Sequence, residues 1–448
     1  MIDTGKQGGR STSLLLAAAL CIGALLHRDA AWGASVDPNA PALRLIKIIA
    51  INGTAASPNT KMYSFGNIWV DPANGLLYLA DRSNADIDVV DTTGAFTGIP
   101  DTLFGQIGGA AFGFAGDTGN PATSGPNSVV AAYPCIFVTD FPTRVVSINA
   151  SVSFTTAVTT LMGLQGNADK LAFDPTDSQL LVTYTGNITP SLAAFVVSST
   201  CQLSGLIGVS VDKRHGVNAT NGLGQPVWEP STRAFYVSIP EVNGPGDGTG
   251  TVGAVAQFVP KAFEVVGPPS QMPLYAVNFC QPTGLAVGPN GDLLVGCDRV
   301  FDTSGNACTS AVPVATPATC TGVAFPQEVI CNPVRGCTGN ALVSIPGIGG
   351  GREVWFNSGD RNYYVAAEND PVGPVFGVIA SGATSTPNTL TQMVPTLPPV
   401  PAVAGIHSAG TVQSIAASAA NNHVYVAMPA NTAYPDCAQG CIAVYSAQ

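Results

Sequence analysis

Residues 64–91 read SFGNIWVDPANGLLYLADRSNADIDVVD. Three short apolar runs, 68–70, 76–80 and 87–90, are separated by a DPANG reversal and an RSNAD turn. In DPANG the proline presets φ and the glycine supplies positive φ, so the chain doubles back within a few residues. The stretch therefore predicts three antiparallel strands in succession.

Variants of the unit recur to the C-terminus. PNSVVAAYPCIFVTD opens the second at 126, ADKLAFDPTDSQLLVTY the third at 168 and GQPVWEPSTRAFYVS the fourth at 224. PTGLAVGPNGDLLVGCD opens the fifth at 282, REVWFNSGDRNYYVAAE the sixth at 352, and the seventh begins at 412. The period is about 58 residues, the signature of blades around an axis. Each of the first six units has room for a fourth strand, expected at 99–107, 156–162, 206–211, 263–266, 341–345 and 389–394. The seventh runs out of chain after its third strand, and the isolated apolar stretch LRLIKIIAI at 43–51 can supply the missing one, closing the ring. The expected fold is an all-β, seven-bladed β-propeller over 41–448, closed by the N-terminal strand, with six blades as the alternative.

Composition agrees with many short strands: 448 residues carry 50 Gly, 35 Pro, 46% hydrophobic residues and only 10% charged ones. Residues 1–33 have the layout of a secretory signal peptide, with Lys6 and Arg10 before an apolar run at 14–26 that is too short to span a bilayer. The expectation is a secreted or periplasmic protein with no membrane span in the mature chain. Removing 1–33 takes away three bases and two acids, so the net charge of −11 becomes −12, which disfavours nucleic acid and anionic membranes as partners. It also takes Cys21 and leaves ten cysteines, an even number that suits disulfides in an exported chain. Bridges are expected within the group Cys308, Cys320, Cys331 and Cys337, and between Cys437 and Cys441. Zinc would favour C-x-x-C pairs, which do not occur.

Strand direction places the starts of the inner strands on the same face as the long segments 108–125, 198–223, 240–251, 301–325, 381–410 and 429–440. At that mouth of the central channel the repeats align Asn67, Asn127, Lys170, Gln225, Gly284, Glu353 and Gln413 in one column. Asp169 and Arg352 sit one step before two of them. Asp81, Asp140, Asp298 and Glu368 end the second strands nearby. These residues are the candidate ligand-binding set for a small molecule or protein, although polar residues at strand starts also cap backbone in inert propellers.

The units resemble the NHL and YVTN classes of β-propeller, closest in AVGPNGDLLVG and VDPANGLLYLAD. Propellers of this shape include lactonases of the gluconolactonase type, strictosidine-synthase-like enzymes, streptogramin lyases and many non-enzymatic binding proteins. The lactonase resemblance implies Glu353, Asn67, Asn127 and Asp169 as oxygen ligands of an axial Ca²⁺, with Glu353 or Asp169 as the catalytic carboxylate that activates water. No short motif fixes those ligands one by one, and the lyase histidine arrangement is not recognisable. The favoured expectation is a binding or scaffold propeller, with a Ca²⁺-dependent lactonase or related hydrolase as the alternative.

Other cofactors are not expected. GTGTVG at 248–253 feeds a strand where a dinucleotide site for NAD needs a helix, His215, His407 and His423 are too few for a copper cluster, and no C-x-x-C-H anchors haem. No G-x-S-x-G elbow is present. Trp69, Trp228 and Trp355 fall at matching inner-strand positions, where inter-blade packing is the simpler reading and ligand stacking the other.

Overall fold

The computed structural model describes residues 41–53, 60–109, 111–120, 123–162, 164–186, 189–263, 271–302, 304–308, 327–332, 342–370, 374–382, 387–396 and 412–447. All belong to one compact unit, Gly33–Gln448. Residues 1–33, expected to be a signal peptide, Cys320, Cys337, His407 and most of the 301–325 and 381–410 segments lie outside the described residues.

The DPANG reversal is built as its residues dictate. Gly75 adopts φ +69°, its N–H donates to Asp71 O at 2.9 Å, and Asp71 Oδ1 and Asn74 Oδ1 accept the N–H groups of Ala73 and Leu76. It joins β2 (Phe65–Asp71) to β3 (Leu76–Asp81), followed by β4 (Asp86–Asp91) and β5 (Thr102–Gly108) in a four-stranded antiparallel sheet. The second sheet is β6 (Ser128–Ala132), β7 (Cys135–Asp140), β8 (Arg144–Asn149) and β9 (Ala157–Met162). The third is β10 (Asn167–Asp174), β11 (Gln179–Thr185), β12 (Ser191–Val197) and β13 (Leu203–Ser210).

Two units then share one eight-stranded sheet. The first holds β14 (Pro226–Glu229), β15 (Ala234–Ile239), β16 (Val252–Phe258) and β17 (Leu274–Asn278); the second holds β18 (Cys280–Val287), β19 (Leu293–Val300), β20 (Gln327–Cys331) and β21 (Leu342–Pro346). After it come β22 (Glu353–Asn357), β23 (Asn362–Ala367), β24 (Val375–Ala380) and β25 (Thr389–Pro395) in a sheet of their own. The final sheet runs β1 (Leu43–Ala50), β28 (Cys441–Ala447), β27 (Val424–Met428), β26 (Ile415–Ala417). In it β1 is antiparallel to β28 from Leu43↔Ala447 to Ala50↔Cys441, so the N-terminal strand closes the ring at the expected place.

Two expectations are corrected. Among the described residues the strands form six hydrogen-bonded sheets, which matches the six-blade alternative and not the seven blades expected first. The two middle units fuse because Phe279 alone, at φ +59°, separates β17 from β18, and this tight passage brings Val252 of β16 and Cys280 of β18 into a parallel bridge. The fourth strand described for that first unit is β17; of the expected 263–266 only Phe263 is described, in a 3₁₀ turn, and 264–266 lie outside the described residues. Pro260 lacks an N–H to donate to a ladder and heads a 3₁₀ turn at Pro260–Phe263 instead.

Most strands are covered on both faces, which explains their near-continuous apolar runs. On β3, Leu77 and Leu79 pack against Tyr425, Ile442 and Ile51 of the closing sheet, while Tyr78 and Ala80 pack against Val129 and Val138 of the second sheet. The inner strands β2, β6, β10, β14, β18, β22 and β26 each touch the next, and β26 touches β2. Glycine allows the closest of these approaches. A Cβ on Gly66 would lie 2.0 Å from Asn127 O, and one on Gly224 2.4 Å from Thr283 O.

Disulfides join Cys437 to Cys441, as expected, and also Cys135 to Cys201 and Cys280 to Cys297. Cys308 and Cys331 are disulfide-bonded as well. Among the described residues no helix is long and apolar enough to cross a membrane.

Candidate functional site

The starts of the inner strands surround a cavity of about 330 Å³ at one mouth of the central channel. Its walls carry Arg82, Lys170 and Arg352 together with Asp169 and Glu353. Lys170 Nζ, from β10, reaches Glu353 Oε1, from β22, at 2.6 Å, so one ion pair spans the channel. Arg352 Nη1 meets Glu368 Oε1 at 2.6 Å. Burial works against the charge of Arg352, but Glu368 and Asp298 outweigh it and hold the guanidinium above its ordinary pKa. Burial lifts the Glu368 carboxyl, and Arg352 only partly reverses this.

Arg82 differs from the other two cations. Its Nε donates to Asn127 Oδ1 at 3.1 Å and its Nη1 to Phe65 O at 2.8 Å, both neutral oxygens. Burial pushes its pKa down, and the Asp169 carboxylate across the cavity only partly restores it. Among the described residues no carboxylate forms an ion pair with it.

The expected polar column divides into two kinds of residue. Asn67, Asn127 and Gln225 stitch neighbouring inner strands. Asn67 exchanges two bonds with Val129, accepting from its N–H at 2.6 Å and donating to its carbonyl at 3.0 Å. Asn127 Nδ2 donates to Ala168 O at 2.8 Å, and Gln225 Oε1 accepts from Leu285 N at 3.4 Å. Lys170, Glu353, Gln413 and the neighbouring Arg352 and Asp169 line the cavity, and Asn127 does so as well as stitching strands. Of the second-strand acids, Glu368 reaches it through Arg352, while Asp298 accepts from Asn369 Nδ2 at 2.9 Å. Asp140 is buried against Arg144 at 3.1 Å, and Asp81 is buried in a cluster described below. Arg82, absent from the expected set, is the main addition. It lies in the turn after the second strand, one residue beyond Asp81, where the repeats align acids and no cation was expected.

The four oxygens expected to hold an axial Ca²⁺ do not suit one. Asn67 Oδ1 and Asn127 Oδ1 already accept from Val129 N and Arg82 Nε, Glu353 is paired with Lys170, and three cations share the cavity with Asp169. A divalent ion needs six to eight oxygens and little competing positive charge.

At the ends of the inner strands lies a second cavity of about 300 Å³, apolar, with Trp69, Trp228 and Trp355 among its walls. Trp69 and Trp355 meet edge to face at 5.0 Å, and the Trp69 indole donates to Ala131 O at 2.9 Å, so these two rings do pack between sheets.

No family model matches the chain, and no curated protein matches it in sequence. Solved structures do. A chain of "Crystal Structure of Mitotic Checkpoint Complex" superposes with a TM-score of 0.52 at 11% identity, over 98% of this chain and 99% of that one. A chain of "Kuenenia stuttgartiensis Hydrazine Synthase" gives 0.55 at 11% identity, over 88% and 98%. This chain is a β-propeller. At such identity the likeness concerns the fold alone, and propellers carry many unrelated functions.

Proposed function

We propose that this chain is an exported binding propeller that takes a small carboxylate-bearing molecule at the charged mouth of its channel. The observation that carries the reading is Arg82, a half-buried guanidinium at the cavity wall that, among the described residues, is met in its contacts only by neutral oxygens. A carboxylate would supply the missing charge and could bridge Arg82 in a two-point contact. The signal-like leader and the disulfides support export. The hydrolase alternative gains nothing from the cavity, where Glu353 is committed to Lys170.

The test is a thermal-shift and calorimetric screen of small mono- and dicarboxylates against the mature protein and Arg82→Gln. A charge-assisted contact contributes about 1.5–3 kcal/mol, so the variant should bind roughly 10- to 150-fold more weakly. Equal affinity of both proteins for every acid that binds, or no binding by any, would overturn the reading.

A further inference from the structure

The first sheet carries three carboxylates that the channel does not use. Asp81 ends β3, and Asp86 and Asp88 lie at the first and third positions of β4. The register pairs Asp81 with Asp86, and Leu79 with Asp88, so strand alternation puts all three acids on one face of the hairpin. Their relative exposures are 0%, 1% and 0%, and an oxygen from each lies within 4.8 Å of the others. That is the separation of two oxygens on opposite sides of one ion held at about 2.4 Å.

Among the described residues no Lys, Arg or His forms an ion pair with any of the three, and Arg82, next in sequence to Asp81, turns its guanidinium to Phe65 O and Asn127 instead. Both Asp86 oxygens and Asp88 Oδ2 are, among the described residues, buried without a hydrogen-bond partner. An isolated ionised carboxylate is very costly to bury, and three together more so.

A separate observation points the same way. Asn84, 9% exposed, donates from Nδ2 to Asp81 Oδ2 at 2.5 Å, which fixes its amide against the cluster, yet its Oδ1 is buried with no donor. A buried amide oxygen beside the carboxylates that, among the described residues, has no N–H or O–H donor is open to a cation, since protonation of the carboxylates would give it nothing unless one turned toward it. The surroundings fit too. Gln106 Nε2 holds Asp88 Oδ1 at 2.9 Å and also donates to Asn52 O, and Gly108 leaves room beside Asp86, where a Cβ would come within 2.4 Å of the Asp86 Cβ.

We propose that Asp81, Asp86 and Asp88, with the Asn84 amide oxygen, form a structural Ca²⁺ site between the first sheet and the closing sheet. The donor set is all oxygen, which selects a hard cation over zinc or copper, and bidentate carboxylates bring the count toward the six to eight that Ca²⁺ takes. The location gives the ion its task. Leu77, Leu79 and Val90, on the same face as the acids, pack against Ile49, Ile51 and Ile442 of the sheet that contains the N-terminal strand, so the ion sits beside the seam where the ring closes.

The experiment uses the mature protein stripped with chelator and dialysed, then titrated with CaCl₂ by calorimetry, with bound calcium counted by elemental analysis and the melting temperature followed in parallel. The expected result is one Ca²⁺ per chain and a melting temperature that rises with Ca²⁺. Asp86→Asn should lose at least 100-fold in affinity together with the thermal response, and Asn84→Ala about 10-fold. Glu353→Gln, in the channel, should keep both, which separates this site from an axial one. If Asp86→Asn does not fold, Asn84→Ala and the wild-type stoichiometry decide. No binding at millimolar Ca²⁺, or unchanged affinity in Asn84→Ala, or loss of the ion in Glu353→Gln would overturn the proposal.

Discussion

The ion pair across the channel can be tested by a double-mutant cycle on Lys170 and Glu353. The two charges come from the third sheet and from the sheet that β22 opens, meet at 2.6 Å, and are 21% and 11% exposed, so they are neither free in water nor fully desolvated. Glu353→Gln removes the negative charge and leaves Lys170 facing Arg82 and Arg352 in a shared cavity. A hydrogen bond to a charged group is worth about 1.5–3 kcal/mol, less where water screens it. Unfolding entropy of about 2.1 cal/mol/K per residue over some 400 residues converts that to a fall of about 2–3.5 °C in melting temperature. Lys170→Met should cost a similar amount, and the double variant clearly less than the sum, because neither partner is then left alone. Differential scanning calorimetry of the four proteins reads the coupling. Additive effects, or single variants as stable as the wild type, would show that the pair does not brace the channel and would refute the reasoning.

The remaining tests concern the scaffold. Replacing Cys135 and Cys201 together by alanine opens a cross-link over 66 residues between β7 and the segment before β13, and chain entropy puts the loss at about 4 kcal/mol or roughly 5 °C; calorimetry showing no loss would mean that the second and third sheets hold each other without it. Asp91 supplies the acid-side test. Burial raises its pKa, but N–H bonds from Thr97, Phe96 and Gly94 outweigh burial and leave it lowered. A carboxyl lowered in the folded state contributes stability that is present above its unfolded pKa of about 4 and is lost as pH falls through the folded value. The gap in melting temperature between wild type and Asp91→Asn should therefore be widest near neutrality and shrink below about pH 4; a gap constant with pH would contradict it.

Much of the fold was legible because its determinants are local or countable. The DPANG turn needs only Asp71, Asn74 and Gly75, and the pairing of 43–51 with the last strand follows from a unit one strand short. The fusion of two units was not legible, since the passage from β17 to β18 turns on Phe279, a residue with no turn signature, held at positive φ by its surroundings. The strand at Leu274–Asn278 was not legible for a similar reason: it is short, and its residue types do not mark it as a strand start. In the channel, polarity was legible but purpose was not. Nothing in the residue types separates Asn67, which binds a neighbouring strand, from Lys170, which faces the cavity.

The turn between β3 and β4 links the two sites. Six consecutive residues, Asp81 to Asp86, hold two of the three clustered carboxylates, the Asn84 amide and the Arg82 guanidinium. Arg82 points to the axis because the turn reverses there, and Ser83 fixes the turn further by accepting from the N–H groups of Tyr63 and Ser64 at 3.0 and 2.9 Å. An ion gripped by Asp81 and Asp86 would clamp both ends of this turn, and so would set the position of Arg82, the cation in the cavity that, among the described residues, has no acidic partner in contact. Carboxylate binding at the channel and Ca²⁺ binding at the seam would then share a structural element, and by linkage each would strengthen the other to the same degree.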